Sequence, residues 1–432
     1  MKKLSSLFGD NNPLHKPKFT PAGVFCFASI CSLVVLLFCF VATRGSLIGH
    51  YFYWDQRDTG MDFFHSLEYV RGRRPYERFE TVYPPLANLF FLCLYFIVPV
   101  NVSQYWSPDF YESIEFRGTH LDLRTFQAPL LLYLLVLVIS AWMLATLIVA
   151  ILKRYPYKQA NGVALCILLS PGMMFAFERG NILFFVVPMC LFFIHYRNSE
   201  SAVMRELALI SLALAAGLKL YPAFFGILLL RDKKYAQAAR AVIYGVLSVL
   251  LPILAFHEGL SGIPMWLTKV FNFGGAGEAM PHIGTSFANI LHRIALYSKD
   301  YLGISLSTGW FSSAAKIVSV LLLLSALTFN KDWQSVLAIT FAIIMFSSNG
   351  EYIYAFVCIP AVVMLNEETR FDKSNVLPLT LTMLLCVHLP LFHTHMGSYP
   401  NIAIKQLISL LIVCWCFYCG AVNIVKKCKK AE

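Results

Sequence analysis

Acidic and basic residues that could handle a polar substrate are gathered in residues 44–83, directly after the first apolar stretch of the chain. Asp58 and Asp62 are four positions apart, a spacing that places two side chains on one face of a helix. A carboxylate at the boundary between membrane and water can act as a general base that takes a proton from an attacking hydroxyl. Asp62 is flanked by apolar residues, and we expect either catalysis or an ion pair to explain it.

The same stretch contains an Arg-Gly-Arg-Arg turn formed by Arg71, Gly72, Arg73 and Arg74. Loops on the outer side of a membrane are normally poor in Lys and Arg. The fork of an arginine side chain matches the oxygens of a phosphate group. The turn therefore predicts a phosphate-binding site, and an anchor for lipid headgroups is the alternative.

Three further charges lie inside or at the edge of apolar stretches, where a charge is costly and usually functional. Lys219 is predicted to bind an anionic group, and Glu351 is a candidate catalytic acid or base. Arg179 is a candidate substrate-binding residue, although it directly follows Glu178 and the two could form a local ion pair. His282, in a glycine-rich stretch, is a candidate base or hydrogen-bond donor to substrate.

The elements that must position these residues are membrane helices. Of the 432 residues, 58% are hydrophobic and 14% are charged, whereas soluble proteins average roughly 45–50% and about 25%. About 20 apolar residues span the hydrocarbon core, and the chain offers such stretches repeatedly. We expect an all-α polytopic membrane protein with about 11–13 membrane segments in a single domain over residues 1–432. This composition excludes a soluble enzyme.

The net charge of +11 is explained by topology. Basic residues flank the first and last apolar stretches, so both termini are predicted to lie in the cytoplasm. No nucleic-acid-binding motif accompanies the charge. The two largest outer loops are predicted at 44–83 and 257–310. Neither the cysteines nor the His393–His395 pair has the partners of a metal site, and we expect no metal and no cofactor.

Two cytoplasmic termini require an even number of spans, whereas about thirteen apolar segments can be counted. One solution merges 206–230 into a single helix, and the other makes 83–99 a re-entrant segment. The second is favoured because it puts the basic connections around Lys153, Arg197 and Arg231 in the cytoplasm. It also places residues 178–181 and 219–222 on the outer side, next to the first loop.

Several motifs in order resemble one enzyme family: MDFFHSLEYVRGRRPY with YPPLANLFF, FERGNILFFVVPMCLFFI, AAGLKLYPAFFGILLLRDKKY, and SSNGEYIYAFVCIPAVVML. Together they resemble glycosyltransferase family 87, the polyprenyl-phosphate-dependent, mannosyltransferase-like members of the C-type (GT-C) superfamily. The resemblance runs from residue 60 or so to residue 365 and implies a GT-C-type fold with a large first outer loop.

The resemblance implies roles for particular residues. The family's first-loop acid corresponds to Asp62 and its lysine to Lys219. Its Tyr-Pro-Pro motif corresponds to Tyr83, Pro84 and Pro85, and its Gly-Asn motif to Gly180 and Asn181. The chain departs from the pattern in two places. A glutamine is missing after the first glycine, and a late histidine motif is replaced by a segment that ends in Glu351 and Tyr352. Either Glu351 substitutes for that histidine, or Asp62 acts alone.

The favoured hypothesis is a membrane hexosyltransferase that takes a polyprenyl-phosphate sugar as donor and a lipid or glycan as acceptor. The hexose could be mannose, transfer would invert the anomeric carbon, and the reaction would take place on the outer face of a bacterial inner membrane, among membrane lipids. The predicted catalytic residues are Asp62, Asp58, Glu351 and His282, and the predicted substrate-binding residues are Arg71, Arg73, Arg74, Tyr83, Arg179, Asn181 and Lys219. A multi-pass transporter or flippase of a lipid-linked or polar saccharide is the main alternative, and a non-catalytic assembly subunit is another.

Overall fold

The computed structural model describes residues 20–48, 51, 59–79, 81–98, 123–273, 284–346, 350–392 and 400–431. Within these residues every regular element is helical. Two of the predicted catalytic residues, Asp58 and His282, lie outside the described residues.

The α-helices are short and numerous. In chain order they are α1 (Pro21–Ala42), α2 (Met61–Tyr69), α3 (Pro85–Tyr95), α4 (Gln127–Ile151), α5 (Tyr157–Leu168), α6 (Pro171–Arg179), α7 (Leu183–Tyr196), α8 (Ala202–Leu218), α9 (Ile227–Arg231), α10 (Tyr235–Ile253), α11 (Gly262–Phe273), α12 (Phe287–Leu302), α13 (Phe311–Ala326), α14 (Asp332–Phe346), α15 (Cys358–Glu367), α16 (Val376–Cys386) and α17 (Pro400–Ala431). Short 3₁₀ segments occur at Arg71–Arg73, Leu123–Thr125, Tyr221–Gly226, Gly259–Ser261 and Glu351–Val357.

Several of these helices are apolar enough to lie in a membrane. Among the described residues, α1, α4, α10 and α17 are long enough to cross it alone, and α5 with α6 forms a pair bent by 54°. Six shorter apolar segments include α3, α7, α13, α14 and α16. The prediction of an all-α polytopic membrane protein is confirmed. The shorter helices need shelter inside the protein, because their ends expose unpaired backbone groups.

Burial separates central helices from peripheral ones. Nearly all of α14 and α15 is buried, whereas α1, α4 and α10 expose rows of large apolar side chains such as Phe38, Leu135 and Val242. Exposed apolar stripes on long helices are what contact with lipid requires. The core is therefore formed by the short helices, with the long ones packed around them.

Residues 206–230 do not form the single helix that one topology required. Helix α8 ends at Leu218, and Lys219 adopts an extended backbone with φ −147° and ψ 134°. After α9 the chain returns to the start of α8, where Lys234 Nζ donates to Asn198 Oδ1 at 2.6 Å. The two segments thus form a hairpin with Lys219 at its tip. This geometry agrees with the alternative topology, whose membrane sidedness stays a prediction.

The base of that hairpin is tied together by ion pairs, here called the base network and defined as Arg197, Arg231, Asp232 and Asp332. Arg197 pairs with Asp232 at 3.3 Å and with Asp332 at 2.7 Å. Arg231 contacts the same two carboxylates. The network joins the ends of α7, α9 and α14, and therefore fixes the end of the bundle that is remote from Lys219.

Candidate active site

Asp62 lies in the first turn of α2, and both of its carboxylate oxygens accept hydrogen bonds from a distant part of the chain. Arg179 Nη2 donates to Oδ1 at 2.8 Å, and Asn181 Nδ2 donates to Oδ2 at 2.6 Å. Asn181 is buried, and its own Oδ1 accepts from the backbone N–H of Leu183 at 3.2 Å. The carboxylate is therefore held in one orientation while remaining 16% exposed.

The Arg-Gly-Asn turn brings these donors to Asp62 because its middle residue is glycine. Gly180 ends α6 with φ 67°, in the left-handed region. A Cβ at this position would lie 2.7 Å from Phe63 Cβ and 3.2 Å from the Phe63 nitrogen. On the other side, the backbone N–H of Gly60 donates to the Glu178 carbonyl at 2.7 Å. The start of α2 and the end of α6 are thus in direct backbone contact.

Tyr133 of α4 packs against the junction between α2 and α6. Its hydroxyl donates to the Phe177 carbonyl in α6. Its ring lies 5.1 Å from that of Phe63 and 5.5 Å from that of Phe64, measured between centroids. Aromatic packing of this kind restricts the rotation of α2, and the direction of the Asp62 side chain follows from it.

Lys219 is the second charged residue that the structure places here. Its Nζ lies 4.7 Å from the ring centroid of Tyr83 and 6.0 Å from that of Tyr221. Among the described residues no carboxylate lies within ion-pair distance of this amine. A cation that contacts aromatic faces is stabilised by their quadrupoles, yet its charge remains available to an anionic ligand.

Three tyrosines connect Lys219 with Asp62. The phenols of Tyr83, Tyr221 and Tyr352 all lie within electrostatic range of the Asp62 carboxylate. Tyr352 is also within range of Lys219 and Arg179. For Tyr83, which lies in the first loop, burial and the nearby Asp62 carboxylate raise the pKa of the phenol well above 10. This phenol therefore stays protonated and can donate a hydrogen bond.

Tyr221 and Tyr352 were not among the residues predicted from the sequence. The available signal was their position, because each is within two residues of a charge singled out in an apolar stretch, Lys219 and Glu351 respectively. Tyr352 reaches the site because Gly172 of α6 allows close contact with the 3₁₀ turn. A Cβ on Gly172 would lie 2.4 Å from the Tyr354 carbonyl carbon.

Glu351 forms an ion pair with Lys405 of α17. Its carboxylate is buried and accepts a hydrogen bond from Lys405 Nζ at 2.7 Å. Asn401 Nδ2 lies 3.5 Å and 3.4 Å from its two oxygens. Lys405, on α17, is also buried. The structure therefore gives Glu351 an ion pair with α17, and a catalytic role for it stays a prediction.

The Arg-Gly-Arg-Arg turn lies at the opposite end of α2 from Asp62, about 13 Å along the helix axis. The guanidinium of Arg73 lies 5.6 Å from the ring centroid of Phe96. Arg74 donates to Glu77 at 3.2 Å, with both side chains about half exposed. Arg71 Nη1 lies 4.0 Å from Glu68 Oε1. The structure therefore separates these arginines from Asp62 by the length of α2.

Glu68 is the buried acid beside that turn. It is 1% exposed, and neither carboxylate oxygen has a hydrogen-bond partner among the described residues. Burial raises the pKa of Glu68 to about 7, against the opposing effect of the Arg71 and Arg78 guanidiniums. It is therefore an acid whose charge changes near neutral pH.

An apolar groove is lined in part by residues that follow Lys219 in the chain. It has a volume of about 690 Å³ and lies between α8, the turn at 221–226, α9, α10 and α11. Leu220, the residue after Lys219, lines it together with Phe224, Val246 and Trp266. Apart from the hydroxyl of Ser248 and the indole of Trp266, its described lining side chains are apolar. The groove therefore suits a hydrocarbon chain.

Among the described residues, no group of three His, Cys, Asp or Glu side chains is arranged so that it could hold a metal ion.

Comparison with known proteins gives one match. The model of glycosyltransferase family 87 matches residues 81–348, a segment that contains Tyr83, Arg179, Asn181 and Lys219 but neither Asp62 nor Glu351. No curated protein and no solved structure matches the chain.

Proposed function

We propose, on the premise that the chain belongs to glycosyltransferase family 87, that it transfers a hexose such as mannose from a polyprenyl-phosphate sugar to a lipid or glycan acceptor. Family membership and the apolar helices make it a membrane glycosyltransferase. The donor, the acceptor and the outer face as the place of reaction are our proposals.

The observation that supports this donor most strongly is that Lys219 directly precedes Leu220, a residue of the groove wall. A polyprenyl-phosphate sugar combines one anionic phosphate with a long apolar chain. Lys219 Nζ contacts only aromatic rings among the described residues, and Leu220 next to it already lines the groove. A phosphate bound to Lys219 could thus extend its hydrocarbon chain directly into apolar surroundings.

Lys219 would act on the leaving group. As the bond between the anomeric carbon and the phosphate oxygen breaks, negative charge accumulates on the phosphate. A fixed cation in a site sheltered from water stabilises that charge more in the transition state than in the ground state. The protonated Tyr83 phenol, whose ring contacts Lys219, could donate a hydrogen bond to the same phosphate.

Asp62 would activate the acceptor. The acceptor hydroxyl attacks the anomeric carbon, and its proton passes to the Asp62 carboxylate as the new glycosidic bond forms. Arg179 and Asn181 each occupy one lone pair of the carboxylate, and each oxygen retains another. A single displacement of this kind inverts the anomeric carbon. Arg179 and Asn181 hold the base in place for that step.

Transfer by purified protein tests this proposal. Radiolabelled polyprenyl-phosphate mannose and other polyprenyl-phosphate hexoses are incubated with a lipid acceptor extract, and labelled product is measured. We expect Asp62→Asn to lower turnover by about 10²–10⁴-fold, as the loss of a general base does. Glu77→Gln is the matched control, because it makes the same chemical change at an exposed position in the same loop.

Two outcomes would contradict the proposal. Equal turnover by the wild type and Asp62→Asn would remove Asp62 from the role of base. Transfer from a nucleotide sugar but from no polyprenyl-phosphate sugar would overturn the donor class.

A further inference from the structure

The segment that contains the 3₁₀ turn Gly259–Ser261 and helix α11 is bound to the first loop by several hydrogen bonds. The N–H of His257 donates to the Arg73 carbonyl at 2.9 Å. Glu258 Oε1 accepts from the N–H groups of Tyr76 and Glu77 at 3.0 Å and 3.1 Å. A segment attached at several points moves together with the loop that it contacts.

Trp266 forms the contact that lies nearest to the site. Its indole Nε1–H donates to the Val82 carbonyl at 3.1 Å, and the side chain is 4% exposed. The next carbonyl, that of Tyr83, accepts from Tyr76 Oη at 3.2 Å and from Asn88 Nδ2 at 3.3 Å. The peptide groups on both sides of Tyr83 are therefore held by side chains.

The same indole lines the apolar groove. Trp266 contributes to its wall with Ile263 and Leu267 of α11. Together with Tyr76 and Ile253, Trp266 also forms a small buried cluster separate from the main core. One side chain thus contacts the groove on one side and the backbone before Tyr83 on the other.

Tyr83 connects this held backbone to Lys219. Its ring contacts Lys219 Nζ at 4.7 Å, so a displacement of the Val82–Tyr83 peptide would move the surface against which the amine packs. A displacement of about 1 Å in a positioned catalytic group can cost about 100-fold in rate. The placement of Lys219 is therefore sensitive to the hydrogen bond of Trp266.

We propose that Trp266 is a positioning residue that links occupation of the groove by the polyprenyl chain to the placement of Tyr83 and Lys219. The proposal rests on the proposed function, because it takes the groove as the binding site of the donor's chain. A long chain packs against the indole and holds it against the Val82 carbonyl. A donor whose chain is too short to reach Trp266 lacks this contact and is transferred more slowly.

Kinetics with donors of two chain lengths test the link. Trp266→Phe keeps an aromatic ring in the groove wall and removes the N–H. We expect kcat with a long-chain donor to fall about five- to tenfold, in keeping with one lost hydrogen bond, while KM changes little. The wild type's preference in kcat for the long over the short chain should largely disappear. Trp310→Phe is the control, because Trp310 is exposed and does not line the groove.

A binding measurement keeps the test independent of turnover and of the folding of the variant. Polyprenyl monophosphate carrying bromine on its chain, without any sugar, is added to the wild type and to Trp310→Phe. Of the seven tryptophans, Trp266 should be quenched at low ligand concentration in both proteins, and the quenching should be absent from Trp266→Phe.

The outcomes separate this proposal from the proposed function. Quenching without any sugar transfer would support the groove contact and contradict the enzyme activity. Transfer without quenching, or an unchanged chain-length preference in Trp266→Phe, would overturn the role of Trp266 and leave the activity standing. A parallel fall of kcat for both chain lengths, matched by a loss of folded protein, would show a purely structural role.

Discussion

Similar charged residues lie beside the two ends of helix α8, in opposite arrangements. The helix has 17 residues, so its ends are about 25 Å apart. At its start lies the base network, in which each of two arginines contacts both aspartates and each aspartate contacts both arginines. At its other end, Lys219 packs against the rings of Tyr83 and Tyr221, with no carboxylate partner among the described residues.

We interpret the paired charges of the base network as structural and the charges at the Lys219 end as functional. In the base network the charges balance and each contact is already made, so the group has nothing left to offer a ligand. At the other end, Lys219 has no carboxylate partner among the described residues, and Asp62 is held by Arg179 and Asn181 while remaining partly exposed. An incompletely paired charge next to an apolar groove is what the binding of an anionic lipid requires.

Breaking the base network should have the largest effect, and the effect should be on stability. Arg197 is 1% exposed, and Arg197→Met leaves two carboxylates to share Arg231. We expect a loss of about 3–5 kcal/mol in the free energy of unfolding, as for other buried ion pairs that lose one partner. Thermal unfolding in detergent measures this loss, and transfer activity per folded molecule should be unchanged. Reduced activity of the folded fraction would show that the two ends are coupled.

Removing the Lys219 cation should lower activity and leave stability nearly unchanged, the reverse of the result expected for Arg197→Met. We expect Lys219→Met to lower turnover by about 10²–10³-fold, the usual result when a group that stabilises transition-state charge is lost. The melting temperature should hardly change, since no ion pair is broken. Lys219→Arg should restore part of the activity, and Lys331→Met, at an amine paired with Glu368, should leave it intact. A large drop in melting temperature for Lys219→Met would contradict a functional assignment.

The junction between α2 and α6 can be tested at Gly180. Gly180→Ala adds a Cβ at φ 67°, 2.7 Å from Phe63 Cβ, and should cost about 1–3 kcal/mol in stability. Because Arg179 and Asn181 move with it, turnover should fall more than tenfold. Gly72→Ala is the matched control, with φ 72° and open space around the added Cβ. Equal effects of the two changes would mean that backbone strain alone matters.

The smallest expected effect is a pH dependence at Glu68, a carboxyl that lacks the full pairing seen in the base network. Burial raises the pKa of Glu68 from 4.5 to about 7, so the folded state binds its proton more tightly than the unfolded state. Stability should therefore be highest below about pH 5, fall as the pH rises towards 7, and level off above it.

Glu68→Gln removes this titration and should flatten the dependence of the melting temperature on pH, by a few degrees between about pH 5 and 8. Exposed Glu77 provides the control, and Glu77→Gln should leave the wild-type slope intact. A slope that persists in Glu68→Gln would show that another group titrates.

Some of the site could be predicted from single residues in unusual surroundings. Asp62, Asn181 and Lys219 were identified from their apolar surroundings and from the resemblance to the family, and the structure places the first two in contact. Arg179 was weighed against a local pair with Glu178, yet its guanidinium contacts Asp62, which is 117 positions away. The Arg71–Arg74 turn was predicted to bind phosphate, but it lies at the end of α2 opposite Asp62.

The amino-acid sequence alone specifies the class of the protein, because composition and apolar stretches of membrane length depend only on which residues occur and in what order. It also determined the breaks in the helices, since Gly180 and the proline after Lys219 act locally. Only the tertiary structure decided which charges meet. A charge's partner depends on how helices pack, and residues as far apart as Asp62 and Arg179, or Glu351 and Lys405, are joined by packing that no local pattern records. Among the described residues, that packing left Lys219 without a carboxylate partner and paired the charges of the base network.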